Sequence, residues 1–113
     1  MQRFAFTMRV KPERVADYVE CHKAVWPSVL DAIKRSGIKS YSIFMRGDEL
    51  FFYLEADDVT AALHYLDEDP EHARWNREVT GDMFETRLNV GAPEGLPEVF
   101  RFEADQNPIR RHR

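Results

Sequence analysis

The stretch Tyr18-Val19-Glu20-Cys21-His22-Lys23-Ala24-Val25-Trp26-Pro27 decides how the rest of the chain is read. Tyr18, His22 and Trp26 recur at i, i+4 and i+8, which on a helix of ~3.6 residues per turn gathers them within about 80° of arc. Val15, Val19, Val29 and Ile33 fall on or beside the same face if the helix continues. The imidazole and the phenol therefore sit on the face that turns toward the core. Pro27 has no N–H to bond residue 23 and its ring crowds that carbonyl, so the helix kinks or breaks beside His22. The pattern predicts one helix opening at Lys11-Pro12-Glu13 and running to about Lys23. A second runs from Trp26 to just before Gly37, a left-handed C-cap.

Outward from this segment, Arg3 to Val10 alternates, with Phe4, Phe6, Met8 and Val10 on one side, as in a half-buried strand. Ile38 to Arg46 is a second strand with Tyr41, Ile43 and Met45 on one side, and Gly47-Asp48 is turn chemistry. Glu49 to Ala56 follows as a third, antiparallel strand, and its Phe51-Phe52-Tyr53 run means that both faces are largely covered. Asp57-Asp58 caps a short helix over Val59 to Leu66. Asp69-Pro70-Glu71 starts another, carrying Trp75, Val79 and Met83 at i, i+4 and i+8. Asn89 to Pro97 is a loop and Glu98 to Glu103 a last strand. This order is that of a ferredoxin-like α+β fold, an antiparallel sheet with helices on one face. The opposite face, carrying aromatics, is left bare in a monomer; pairing with a twin as a homodimer, a dimeric α+β barrel, covers it. Residues 1–104 form a single domain and 105–113 a flexible tail, with the basic run Arg110 to Arg113 solvated.

Composition narrows the function. The chain has 113 residues, 43% apolar and 32% charged, and 20 acids against 16 bases give a formal charge of −4. That balance offers no electrostatic case for nucleic acid. The absence of a long apolar run or an apolar signal core points to a cytoplasmic protein with no membrane partner. Cys21 is the single cysteine, fits a reducing compartment, and lies off the inward face, where i and i+1 do not face each other. The four histidines are scattered without ligand spacing, so no metal is expected; His64 and His72 fall on polar faces and are expected in solvent. No glycine-rich phosphate cradle, nucleophile elbow or redox-cofactor motif is present. Acid–base chemistry on a small polar ligand remains. A lone inward histidine is more often a hydrogen-bonded core residue than a catalyst. Here an imidazole, the phenols of Tyr18 and Tyr41 and the indoles of Trp26 and Trp75 converge where helix meets sheet. Aromatic faces stack on sugar C–H faces while His and Tyr bond hydroxyls, which suggests a monosaccharide.

The chain resembles the L-rhamnose mutarotase family along nearly its whole length. The resemblance is carried by Phe4-Ala5-Phe6-Thr7-Met8-Arg9-Val10, Tyr18-x-x-x-His22-x-x-x-Trp26-Pro27 and Gly37-x-x-x-Tyr41-Ser42-Ile43. Arg74-Trp75 and Leu96-x-Glu98-Val99-Phe100 add to it. It implies a dimeric ferredoxin-like fold, no cofactor, His22 as proton donor, and Tyr18 and Tyr41 against the sugar. The family usually has two adjacent tryptophans in the second-half helix, which align with Trp75 and Asn76. An amide thus stands where a second stacking face is usual, leaving L-rhamnose, L-fucose or another aldose open as substrate. The hairpin turn at Gly47-Asp48 is shorter than usual.

Interconverting α and β pyranoses requires the C1–O5 bond to break and re-form on the other carbonyl face. O5 must gain a proton and the anomeric hydroxyl must lose one. Histidine, with a reference pKa of ~6.5, can serve O5 at neutral pH, while Glu55, a tyrosinate or a water are candidates for the complementary base. Two other functions suit the same architecture: a cofactorless monooxygenase acting on aromatic substrates, and a non-catalytic small-ligand-binding domain.

Overall fold

The computed structural model describes residues 1–85 and 93–104. Strand β1 (Gln2–Arg9), β2 (Ile38–Arg46) and β3 (Glu49–Ala56) form an antiparallel sheet in the order β1-β3-β2. Helices α1 (Val15–Cys21), α2 (Pro27–Arg35), α3 (Val59–Glu68) and α4 (Pro70–Trp75) accompany it. The sheet buries Phe6, Ile38, Leu50, Phe52, Leu54 and Ala56, and these cluster with Tyr18, Ala32, Val59, Leu63 and Leu66 from the helices. The α+β architecture matches the expected one. No helix among the described residues is long and apolar enough to cross a membrane.

Local chemistry sets each boundary. Gly37 at φ 96° ends α2, and Gly47 at φ 62° is the first residue of a two-residue turn, the type II′ position that favours glycine. The Asp58 carboxylate accepts the Ala61 N–H at 3.0 Å to cap α3; Asp69 accepts those of Glu71 and His72 to cap α4, with Pro70 in the first turn.

Strand β2 carries a bulge: Ile38 pairs with Ala56 and Ser40 with Glu55, leaving Lys39 as the extra residue. Strict alternation from Ile38 would send Tyr41 to the outer face. The extra residue lets Ile38, Tyr41, Ile43 and Met45 all turn toward the helices.

Two expectations change here. Beyond α4 the chain does not continue as α-helix but widens into a π-helical turn over Asn76–Thr80, then tightens over Gly81–Met83. The expected strand at 98–103 is also not formed. The Leu96 N–H bonds the Ala5 carbonyl at 2.7 Å and Arg3 pairs with Glu98, but Val99 and Phe100 stand 94% and 80% exposed. With β1 offered only at 96 and 98, the following residues have no ladder partner among the described residues. Part of the expected loop, 86–92, and the expected tail at 105–113 lie outside the described residues.

Leu54 is fully buried at the centre of the middle strand. Leu54→Ala is expected to cost about 2–5 kcal/mol, the range for emptying a packed core site. Urea unfolding should show a lower midpoint at unchanged slope; an unmoved midpoint would mean that the core is not packed around this strand.

Candidate active site

The proline at 27 acts through its predecessor as well as through its own ring. Trp26 is held extended (φ −56°, ψ 134°), as pre-proline residues are, and so is Val25 (φ −63°, ψ 135°). Helix α1 therefore closes in a tight 3-10 turn over His22–Ala24. That turn places the His22 ring beside the backbone of its own helix. Nδ1 lies 2.8 Å from the Tyr18 carbonyl, an acceptor only, so Nδ1 carries the proton and donates it. Among the described residues Nε2 has no hydrogen-bond partner, and the ring lines a cavity of about 270 Å³ between sheet and helices. That volume lies near the lower end of the ~300–1,000 Å³ common for drug-sized ligands, which suits a small molecule.

The sheet contributes Phe6, Tyr41, Ile43 and Phe52 to this cavity, and α1 contributes Tyr18. Phe6 and Phe52 stack with ring centres 4.6 Å apart, and Tyr41 meets Phe52 edge-on. Tyr18 lies against His22 at 4.3 Å. Burial raises the pKa of both phenols, that of Tyr41 to about 12. Both remain protonated at neutral pH, which leaves them able to donate and accept hydrogen bonds but not to act as bases. On the far wall Trp75 stands perpendicular to the His22 ring at 5.9 Å, followed by Asn76 and Thr80. Gly81 makes the π-helical turn possible: a Cβ there would sit 2.3 Å from the Asn76 carbonyl oxygen. Apolar residues, among them Val29, Ile33, Leu63 and Leu66, complete the wall.

The match to a family model is decisive at this point: the model described as L-rhamnose mutarotase covers residues 3–102. The chain belongs to the L-rhamnose mutarotase family. An L-rhamnose mutarotase of Listeria monocytogenes serovar 1/2a is 37% identical over 102 residues, covering 88% of this chain and 97% of that one. The crystal structure of L-rhamnose mutarotase from Formosa agariphila superposes with a TM-score of 0.73 at 24% identity, over 91% of this chain and 100% of that one. Tetracenomycin F2 cyclase from Streptomyces glaucescens, a type II polyketide cyclase, superposes at 0.58 with 19% identity, over 92% and 99%. Both structural likenesses are of fold alone.

Of the residues singled out from the mutarotase-like sequence, Tyr18, His22, Tyr41, Trp75 and Asn76 line one cavity. Trp26 does not. It packs edge-on behind Trp75 at 5.2 Å, with the Arg74 guanidinium 4.4 Å over its ring. Glu55 leaves the candidates for a base: it lies on the opposite sheet face, where Tyr53 donates to it at 2.6 Å. The 3-10 turn also overrides the expected separation of Cys21 and His22, bringing Sγ to 3.3 Å from Nδ1. Burial pushes the Cys21 thiol pKa up, which disfavours a thiolate.

His72 and Thr80 went unrecognised in the sequence. His72 was expected in solvent; it is 9% exposed and lines the cavity. The spacing His72, Asn76, Thr80 (i, i+4, i+8) held the signal, masked by the acidic residues around it. Burial pushes the His72 pKa down, opposed by the Asp69 carboxylate, the Leu66 carbonyl and Asp67. Unfolded imidazole titrates near ~6.5, so as pH falls through that value the unfolded chain binds protons that the folded one does not, and stability is lost. Between about pH 7.5 and about pH 5.5 the urea midpoint of the wild type should fall further than that of His72→Gln. Equal falls would show that the ring is not held neutral by the fold.

Proposed function

We propose that this protein interconverts the α and β anomers of a 6-deoxyhexose, L-rhamnose first among them, by acid–base ring opening and closing with His22 as proton donor. One observation carries the reading: Nδ1 of His22 is committed to the Tyr18 carbonyl while the ring, its Nε2 without a partner among the described residues, lines a small cavity flanked by protonated phenols. The fixed Nδ1–H leaves the lone pair, and on protonation the acidic proton, at Nε2 on the sugar side. The imidazolium form of His22 gives its Nε2 proton to O5 as the C1–O5 bond breaks, and recovers it on closure. With Glu55 on the other face and the phenols held neutral, a water takes the anomeric proton. Tyr18 and Tyr41 hold ring hydroxyls, and Trp75 offers an apolar surface. Acid–base assistance of this kind contributes ~10²–10⁴-fold, ample for a reaction that also runs unaided.

His22→Asn keeps a polar side chain but cannot shuttle the proton. Exchange between L-rhamnose anomers, followed by saturation-transfer NMR, should fall about 10²-fold or more while the circular dichroism spectrum is retained. A folded His22→Asn protein with full exchange would end the assignment. Consumption of oxygen with a phenolic substrate, without anomer exchange, would favour the monooxygenase reading instead.

We also infer a homodimer formed through the outer sheet face. Phe44 is 63% exposed there, next to half-buried Phe51 and Tyr53. Sedimentation equilibrium should give twice the chain mass for the wild type and a lower mass for Phe44→Glu. A monomeric wild type would remove the dimer, and an undisturbed Phe44→Glu dimer would move the interface to another face.

A further inference from the structure

The cavity wall opposite the sheet carries a polar strip that the proton transfer does not use. His72, Asn76 and Thr80 follow one another at i, i+4 and i+8 along α4 and the π-helical turn, and all three line the cavity. Asn76 Nδ2 lies 3.4 Å from His72 Nδ1, and the Thr80 hydroxyl donates to Asn76 Oδ1 at 3.4 Å. Thr80 is 3% exposed and His72 9%, so neither side chain exchanges these contacts freely for water.

We propose that His72 is a positioning residue: with Thr80 it clamps the Asn76 amide in one orientation, so that the amide selects a sugar carrying a hydroxyl at that wall. The inference rests on the mutarotase reading for its substrate class and adds how the site discriminates among sugars. A primary amide has two N–H donors and a carbonyl with two lone pairs. His72 Nδ1 takes one N–H and the Thr80 hydroxyl takes one lone pair, leaving one donor and one acceptor. A sugar hydroxyl donates and accepts at once, so it matches that remainder; a methyl group or hydrogen does not. His72 serves as an acceptor at Nδ1, which places the neutral ring's proton on Nε2. Burial keeps the ring neutral and hence able to accept. Sites built to bond a hydroxyl reject the analogue lacking it, because the amide is then left unpaired.

The test uses L-rhamnose, its 2-, 3- and 4-deoxy derivatives, and L-mannose, which adds a hydroxyl at C6. Anomer exchange gives kcat and KM, and tryptophan fluorescence gives a sugar titration independent of turnover, since Trp75 lines the cavity. One hydroxyl in the panel should improve KM about 10-fold or more in the wild type. His72→Leu should abolish that advantage, raising KM about 10-fold for sugars that carry the hydroxyl, with kcat held within about threefold. The sugar lacking it should bind both proteins alike. His72→Gln, whose amide oxygen can accept in place of Nδ1, should restore the discrimination. Thr80→Val, nearly isosteric, should weaken it in the same selective way and stands as the test if His72→Leu does not fold. A KM rise shared by every sugar, equal effects of His72→Leu and His72→Gln, or a fall in kcat alone would overturn the proposal. If the wild type exchanges no sugar yet titrates selectively, the mutarotase reading fails while the clamp stands; exchange without selectivity does the reverse.

Discussion

A single 2.8 Å hydrogen bond, from His22 Nδ1 to the carbonyl of Tyr18, is the contact on which the arrangement of the cavity depends. It exists because the helix stops. In an uninterrupted α-helix the Tyr18 carbonyl would belong to the backbone N–H four residues on; near the end of a helix such carbonyls seek other donors. Pro27 holds Trp26 extended, Val25 is extended as well, and the chain tightens into a 3-10 turn at His22. The imidazole donates to the carbonyl, and the bond fixes the ring where it lines the cavity. Tyr18 lies tilted against it on one side and Trp75 stands perpendicular to it on another, so packing reinforces the ring orientation set by the bond.

The second wall follows a different physical logic. Trp75 ends α4, and the next five residues run as a π-helical turn rather than α. Such wide turns rotate the following side chains relative to regular helix and are frequent at functional sites. Here the turn carries Asn76 and Thr80 at the cavity, with His72 one turn before. Gly81 closes it because no side chain fits against the Asn76 carbonyl. Behind this wall, Trp26 and Arg74 back Trp75 and define where its indole can lie.

Much of this was legible in the chain itself. The i, i+4 spacing of Tyr18 and His22 and the alternation through Tyr41 are local patterns, and local patterns survive into the fold. The elements up to α4 were placed by the same means, because glycine, proline and capping aspartates act within a few residues. The cavity-side role of His72 was hidden because its nearest neighbours, Glu71 and Ala73, say little about burial; the N-cap at Asp69 buries it by fixing the start of α4. Trp26 shares a helical face with His22 on paper, but the proline break rotates it behind Trp75. The apolar alternation at 98–103 promised a strand, yet a strand also needs a neighbour, and sequence periodicity does not say whether one is within reach.

The extra residue in β2 ties the length of the strand to the shape of the cavity. Lys39 is surplus to the ladder, and because of it Ile38 can seal the core while Tyr41 faces the cavity. Deleting Lys39 would force a choice between the two: either the isoleucine swings out to solvent or the phenol leaves the cavity. A chain one residue shorter within this strand meets the same conflict, so such a deletion reshapes the cavity wall rather than trimming a surface turn.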